Sequence, residues 1–328
     1  MTAFTRRSGS DRPARMSLLA AAAVATLALA GCGSSDPLGG GSSASGSAGG
    51  ESGSAAGGEG GAGDSIVVGS QQYYSNEIIS ELYAQALEAE GYSVDRQYQI
   101  GQREVYLPEV ESGAIDVMPE YSGNLLQYYD KSATATTPEE VHAALTEVLP
   151  EGLRVLEAAE ATDQDSYNVT QEFAEEHSLT SLADLQNVDE PLKVAANAEF
   201  ETRPYGPEGL KETYGVEASV VPVEDSGRSV TVKALVDGDV QLADIYSADP
   251  SIESEGLVTL EDPENLILPQ NVTPLVSDAI DEEAAAVINE VNAELTAEEL
   301  IGLNRQSVEE QASSGDLAEE WLAEHDLV

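Results

Sequence analysis

Cysteine is nearly absent from this chain, since Cys32 is the only one in 328 residues. A single cysteine excludes a disulfide within the chain. Positive charge is also scarce, with 14 Lys and Arg against 61 Asp and Glu. Because a strongly negative field repels polyanions, we expect neither nucleic acid nor an anionic lipid surface as a partner.

Long apolar runs are missing as well. The apolar run at residues 18–30 contains only Leu, Ala, Val and Thr, and it is shorter than the roughly 20 residues that a membrane-spanning helix needs. Four arginines precede it, and the tetrapeptide Leu-Ala-Gly-Cys ends at Cys32. This order predicts a secretory signal over residues 1–31 and lipid attachment to Cys32, as in a bacterial lipoprotein. An ordinary cleaved signal followed by a free thiol is the alternative.

Residues 32–64 form a segment composed mostly of Gly, Ser and Ala. Such a segment lacks the apolar surface needed to offset the entropy of ordering, so we interpret it as a lipidated linker. A Gly-rich coil of this length reaches roughly 30 Å. The sequence therefore predicts a globular body held close to the outer face of the cytoplasmic membrane.

The chain from residue 65 onward alternates between strand and helix patterns, which predicts an α/β fold. Its length suits two lobes rather than one small core. We expect lobe 1 over residues 65–165, lobe 2 as a second parallel-sheet unit over residues 166–267, and a return to lobe 1 with C-terminal helices over residues 268–328. Residues 307–310 read as a capping box that opens one of those helices. A ligand cleft is expected between the lobes, where strand ends converge.

Signals of catalysis and of metal binding are weak. Adjacent acidic pairs are expected by chance in so acidic a chain, and the three histidines are not spaced as metal ligands. Asp163 and Asp165 fall where the chain crosses between the lobes, which favours a hinge or ligand contact over a cation site. We therefore expect no catalytic residues, no metal and no cofactor. A secreted hydrolase and a surface adhesin without a cleft remain rival interpretations.

Four segments carry a resemblance to a known family, and the second is the most specific. They are Gly-Ser-Gln-Gln-Tyr-Tyr at residues 69–74, Ser-Gly-Ala-Ile-Asp-Val-Met-Pro-Glu-Tyr-Ser-Gly at 112–123, Thr-Ser-Leu-Ala-Asp-Leu at 180–185 and Ala-Asp-Ile-Tyr-Ser-Ala-Asp at 243–249. The chain resembles the OpuAC/ProX-type substrate-binding lipoproteins of osmoprotectant ABC importers. The resemblance implies a two-lobed type 2 periplasmic-binding-protein fold. It also implies quaternary ammonium ligands such as glycine betaine, choline and carnitine, and an ABC permease and its ATPase as partners of a monomer.

A quaternary ammonium ligand directs attention to tyrosine, because aromatic faces attract a diffuse positive charge. The chain has 13 Tyr against 3 Phe and 1 Trp. Polar and aromatic residues at loop positions are the expected ligand contacts: Gln71, Tyr73, Tyr74, Arg103, Tyr121, Asp165, Arg203, Tyr205 and Tyr246. Arg203 is equally suited to a structural ion pair.

The chain departs from the family pattern at several of these positions. Gln71 stands where relatives often carry Lys, and Arg103 could substitute for that Lys in holding a carboxylate. Pro207 and Val232 stand where relatives often place tyrosines. Because the tyrosine cage looks incomplete, a different small solute, such as an amino-acid derivative or an aromatic polyol, is the alternative ligand.

Overall fold

The computed structural model describes residues 65–328. The expected signal, lipidation site and linker lie outside these residues. In these residues ten strands form two mixed sheets, and helices pack against them. The strands are β1 (Ile66–Gly69), β2 (Val94–Gln97), β3 (Val117–Tyr121), β4 (Leu153–Val155), β5 (Tyr167–Thr170), β6 (Leu192–Ala196), β7 (Ala218–Pro222), β8 (Leu242–Asp244), β9 (Leu257–Thr259) and β10 (Val272–Ser277).

The α-helices lie mostly between successive strands, and three follow the last strand. They are α1 (Tyr74–Ala89), α2 (Arg103–Glu111), α3 (Ser122–Tyr129), α4 (Pro138–Val148), α5 (Gln171–His177), α6 (Pro207–Tyr214), α7 (Ser229–Val236), α8 (Ser251–Ser254), α9 (Glu282–Glu294), α10 (Ala297–Arg305) and α11 (Ser314–Glu324). Two 3₁₀ turns span Leu182–Asn187 and Ala198–Thr202. No helix in residues 65–328 is long and apolar enough to cross a membrane.

Lobe 1 is built on the sheet with strand order β2-β1-β3-β10-β4. Strand β1 is parallel to both neighbours, whereas β10 returns from the far end of the chain and runs antiparallel to β3 and β4. One apolar cluster packs α1 against α9, α10 and α11, and a second lies under α2, α3 and α4. The return crossing inferred from the sequence is therefore made by β10.

Lobe 2 is built on the sheet with strand order β7-β6-β8-β5-β9. The expected parallel-sheet unit is present in β6, β7 and β8, but β5 runs antiparallel to β8 and β9, so the sheet as a whole is mixed. Strand β5 enters directly from lobe 1 rather than through a helical crossover of the same sheet. The rule that makes such crossovers parallel and right-handed therefore does not apply to it.

The interpretation of residues 307–310 as a helix-opening capping box was also wrong. Residues Gln306–Glu310 form a π-helical segment that continues directly from α10. No Gly or Pro lies between Arg305 and Glu310 to end the helix. The last helix is instead capped by Ser313, whose side chain accepts a hydrogen bond from the backbone N–H of Asp316.

Candidate functional site

A cleft lies where strands of both sheets reach their carboxyl ends, the position at which open α/β sheets bind ligands. Lobe 1 contributes residues that follow β1 and β3, and lobe 2 contributes residues that follow β6 and β8. Asp163 and Asp165, which lie in the crossover between β4 and β5, also line the cleft. The lining consists of Gln71, Tyr73, Gln102, Arg103, Tyr121, Asn124, Asp163, Asp165, Asn197, Glu199, Phe200, Arg203, Tyr205, Asp244 and Tyr246.

The two lobes are closed on this cleft. Gln72 Nε2 of lobe 1 donates a hydrogen bond of 3.0 Å to Ser226 Oγ of lobe 2. Arg203 of lobe 2 binds Glu104 of lobe 1 through two nitrogens, at 2.8 and 3.2 Å. The cavity left between the lobes is about 30 Å³. A solute larger than a few water molecules therefore enters only when the lobes move apart.

Tyrosine rings from both lobes meet in the cleft. Tyr73 immediately precedes α1, and its ring lies 6.4 Å from that of Tyr121 at an interplanar angle of 25°. The ring of Tyr246, which follows β8, lies 5.1 Å from the Tyr73 ring at an interplanar angle of 64°. Burial raises the pKa of the Tyr73, Tyr121 and Tyr246 phenols well above the usual range, so all three rings are neutral. Neutral rings in two orientations offer π faces to a cation.

Lobe 2 adds a second aromatic group to the cleft. The rings of Phe200 and Tyr205 lie 5.8 Å apart at 70°. Tyr167 holds this pair in place, because its hydroxyl donates a hydrogen bond of 2.7 Å to the Tyr205 carbonyl and its ring packs against Phe200. The side chains of Phe200 and Tyr205 are both more than nine-tenths buried.

A buried asparagine fixes the lobe 1 side of the cleft. Asn76 accepts a hydrogen bond of 2.8 Å from the Gln71 backbone N–H and donates one of 3.0 Å to the Pro119 carbonyl. Its amide also reaches the Tyr121 hydroxyl at 3.4 Å. Asn76 thereby ties the loop after β1 to the end of β3. Gly123, in the first turn of α3, lies so close to the Pro269 carbonyl that a Cβ at this position would meet the carbonyl oxygen at 2.6 Å.

Both cleft arginines are already paired with carboxylates. Arg103 donates Nε and Nη2 to Glu120 at 3.0 and 2.8 Å, and Glu120 also accepts from the Tyr106 hydroxyl and the Tyr121 backbone N–H. Burial disfavours the charge on Arg103, but Glu120 together with Tyr106 and Tyr205 outweighs that effect, so the pKa of the guanidinium is raised. Arg203 is the arginine that bridges the lobes. Its ion pair matches the structural alternative drawn from the sequence.

Three aspartates, Asp163, Asp165 and Asp244, also line the cleft. Asp163 accepts a hydrogen bond from the Ala248 backbone N–H at 3.1 Å, and Asp165 accepts one from Asn124 Nδ2 at 2.7 Å. Burial raises the pKa of Asp163 to about 7. Burial, followed by the neighbouring Asp165 carboxyl, holds the pKa of Asp244 well above its usual range. None of the three forms an ion pair with a basic residue in the described part of the chain.

All the ligand contacts expected from the sequence line this cleft except Tyr74. The Tyr74 hydroxyl binds Asp249 at 3.0 Å, and its ring lies under the Arg228 guanidinium beside a second groove. Sequence reasoning missed further lining residues: Gln102, Asn124, Asn197, Glu199, Phe200 and Asp244. Asn197 and Asp244 could have been found, because each lies at the carboxyl end of an apolar strand.

Between residues 65 and 328, no group of three or more His, Cys, Asp or Glu side chains is arranged to hold a metal ion. The cleft instead combines aromatic rings, carboxyls, amides and paired arginines. Groups of these kinds can contact a small polar solute from both lobes, and contacts made only in the closed state would favour closure around it.

Comparison with known proteins identifies the family of the chain. Over 276 residues it is 26% identical to the glycine betaine-binding protein YehZ of Escherichia coli, covering 80% of this chain and 90% of that protein. It is 23% identical over 273 residues to the carnitine transport binding protein OpuCC of Listeria monocytogenes, covering 79% and 86%. A crystal structure of a glycine betaine/carnitine/choline ABC transporter protein shares the fold at a TM-score of 0.65 and 19% identity, covering 80% of this chain and 99% of that one.

These relatives are extracytoplasmic substrate-binding proteins rather than enzymes, and they have the two-lobed fold of periplasmic binding proteins. The model of the OpuAC family, the substrate-binding domain of ABC-type glycine betaine transport systems, matches residues 64–324. The chain therefore belongs to the OpuAC family and is a substrate-binding protein of an ABC importer.

Proposed function

We propose that this protein binds a quaternary ammonium osmoprotectant of the glycine betaine and choline class and delivers it to an ABC permease, while a lipid on Cys32 holds it at the outer face of the membrane. The observation that carries the proposal is the meeting of Tyr73, Tyr121 and Tyr246 in one interlobe cleft. The protein acts as a monomer in this proposal, since one chain supplies the whole cleft.

The chemistry of a trimethylammonium group supports this assignment. The group has no hydrogen-bond donors and spreads its charge over its methyl surface, so it gains little from point-like polar partners. Each aromatic face within about 6 Å contributes roughly 0.5 to 2 kcal/mol to the binding of such a cation. The rings of Tyr73 and Tyr121 belong to lobe 1, and that of Tyr246 to lobe 2. A ligand held between them therefore stabilises the closed conformation.

A different small solute is the second candidate, and one observation favours it. Gln71 Nε2 lies buried at the cleft without a hydrogen-bond partner among residues 65–328. An unpaired buried amide nitrogen favours a ligand that carries an acceptor oxygen. An amino-acid derivative or an aromatic polyol supplies one, as does the carboxylate of glycine betaine.

Titration calorimetry tests the proposal with glycine betaine, choline, carnitine and proline betaine against an aromatic polyol and an amino-acid derivative. We expect binding to be confined to the quaternary ammonium compounds. Tyr246→Leu keeps an apolar side chain but removes the π face, so it should weaken binding by about 0.5 to 2 kcal/mol. Tyr92→Leu is the matched control, because Tyr92 lies outside the cleft beside Asp281. Exclusive binding of the uncharged polyol would refute the assigned ligand class.

The lipid anchor has its own test. Cys32→Ser removes the only thiol of the chain, so the variant should appear in the soluble fraction of cells while a Ser34→Ala control stays with the membranes. Persistent membrane association of Cys32→Ser would contradict the anchor and leave the ligand assignment unaffected.

A further inference from the structure

A second cavity lies beside the tyrosine cleft, and we call it the side chamber. Its volume is about 110 Å³, which is room for roughly four water molecules. Residues of α2 and α3 in lobe 1 and residues 202–205 of lobe 2 line it, so closure of the lobes encloses the side chamber together with the cleft. The two cavities share Arg103, Asn124, Arg203 and Tyr205, and they are therefore neighbouring compartments of one interlobe space.

The two compartments differ in charge. In the lining of the cleft, four acidic side chains accompany two basic ones, whereas three basic side chains accompany one acidic one in the side chamber. Lys131, which follows α3, is the basic residue that the cleft lacks. It forms no ion pair in the described part of the chain, while Arg103 and Arg203 are held by Glu120 and Glu104. A dipolar solute is therefore favoured with its positive end in the cleft and its negative end in the side chamber.

A buried amide of α3 reaches the side chamber without a partner. Gln127 is 6% exposed, and its Oε1 atom has no hydrogen-bond partner among residues 65–328. A buried acceptor that stays unpaired is costly, so this atom favours a ligand that brings a hydroxyl donor. On the cleft side, the unpaired Gln71 Nε2 can donate to a ligand oxygen. The interlobe space thus offers both a donor and an acceptor to a ligand that extends through it.

We propose that the side chamber is a binding subsite for the far end of an elongated zwitterion, and that Gln127 is the specificity-determining residue that selects a hydroxyl on its chain. In this arrangement the quaternary ammonium group lies against the cleft tyrosines, the carboxylate lies beside Lys131, and a hydroxyl between them donates to Gln127 Oε1. The inference rests on the proposed function and narrows its ligand class to trimethylammonium acids that are longer than glycine betaine. Carnitine has this order of groups.

Titration calorimetry of the full chain with three zwitterions tests the inference. 4-Trimethylammoniobutanoate has two methylenes more than glycine betaine, and carnitine is the same chain with a hydroxyl on carbon 3. Because burial of two methylenes is worth roughly tenfold in affinity, we expect the butanoate to bind about tenfold more tightly than glycine betaine. The hydroxyl should make carnitine bind about threefold to tenfold more tightly than the butanoate.

Gln127→Leu removes the acceptor from the side chamber. The variant should lose the preference for carnitine over the butanoate, and its affinity for the butanoate should stay within about twofold of wild type, since only the hydroxyl uses the amide. Thermal unfolding should show no loss of stability, because the substitution removes an unpaired buried polar atom. An equal loss of affinity for all three zwitterions would instead assign Gln127 a purely structural role and overturn its part in selection.

Lys131→Gln tests the position of the carboxylate. The variant should bind carnitine and the butanoate about two- to fivefold more weakly at low salt, and the difference should shrink at high salt, because Lys131 is exposed to solvent. Choline has no carboxylate and should bind as in wild type. Lys193→Gln removes an exposed lysine of lobe 2 that lies outside both cavities, so this matched control should change none of the affinities.

Two further results would overturn the inference: glycine betaine binding as tightly as the two longer zwitterions, or a preference for carnitine that survives in Gln127→Leu. If that variant fails to fold, the order of the wild-type affinities still decides. If no quaternary ammonium compound binds at all, the proposed function itself fails, so the two failures are distinguishable.

Discussion

The bridge between Arg203 and Glu104 joins the two lobes, and its removal tests whether Arg203 closes the cleft or contacts the ligand. The pair is bidentate, but Glu104 retains 48% side-chain exposure against 14% for Arg203. Solvent screening limits such a pair to about 0.2 to 1 kcal/mol. A ligand that binds only the closed state loses the same free energy, so Glu104→Gln should weaken its binding by up to about fivefold.

A double-mutant cycle measures this coupling. Binding of choline and of glycine betaine is compared in wild type, Glu104→Gln, Arg203→Gln and the double variant by titration calorimetry. If the bridge only stabilises closure, each single variant loses similar affinity for both ligands, and the double variant loses little more. Gln72→Ala removes another interlobe hydrogen bond, to Ser226, and serves as a comparison that involves no charge.

The refuting result is a ligand-specific one. If Arg203→Gln weakened glycine betaine tenfold or more while choline was unaffected, and Glu104→Gln did not reproduce that pattern, Arg203 would be binding the ligand carboxylate. The account of Arg203 as an interlobe contact would then be wrong.

Three further perturbations address the described fold. Glu120→Gln leaves the Arg103 guanidinium buried without its carboxylate, so urea unfolding should show that the free energy of unfolding falls by about 3 to 5 kcal/mol. A fall below about 1 kcal/mol would mean that solvent reaches this pair. Asp163 keeps its proton in the folded state up to about pH 7 but loses it near pH 4 in the unfolded chain. The free energy of unfolding of the wild type should therefore fall by about 1 kcal/mol per pH unit between pH 4 and pH 7, relative to Asp163→Asn. Parallel stability profiles of the two proteins at pH 5, 6 and 7 would refute the raised pKa. Gly123→Ala places a Cβ against a backbone carbonyl oxygen and should cost about 1 to 3 kcal/mol in thermal or urea unfolding, whereas Gly302→Ala, with open space around it, should not destabilise the protein.

The difference between Tyr73 and Tyr74 shows where sequence reasoning reaches its limit. The two rings are adjacent in sequence, yet one lines the cleft and the other contacts Asp249. Successive helical residues point about 100° apart, so the outcome depends on the residue at which α1 begins. Tyr73 is the N-cap residue of α1, and its side chain makes no capping hydrogen bond. Because the N-cap position is not occupied by Ser, Thr, Asp or Asn, the sequence does not indicate where the helix begins.

The partner of Arg203 was equally hidden. The carboxylate that pairs with Arg203 lies 99 positions earlier, in the other lobe, and no local pattern encodes how two lobes align when they close.

Tyr121 was easier to predict, because it lies in a contiguous motif that spans the end of β3 and the start of α3. The fold class followed from alternating strand and helix periodicity, while the antiparallel placement of β5 depended on pairings between distant segments. Features that depend on local periodicity or on contiguous motifs can therefore be predicted from the sequence, whereas contacts between distant segments cannot.

The scarcity of basic residues links the composition of the chain to the chemistry of the cleft. With 61 acidic against 14 basic side chains, an arginine that folds into the interior meets a carboxylate of the protein before it meets a ligand, as Arg103 and Arg203 do. A ligand carboxylate competes with those internal partners for the two arginines and enters a negative field, although the buried Gln71 amide nitrogen is free to donate to it. Under the proposed function, a quaternary ammonium cation meets no such competition, because the negative field attracts it and the faces of the cleft tyrosines contact it. The same excess of acid that excludes polyanions as partners thus favours a cation in the cleft.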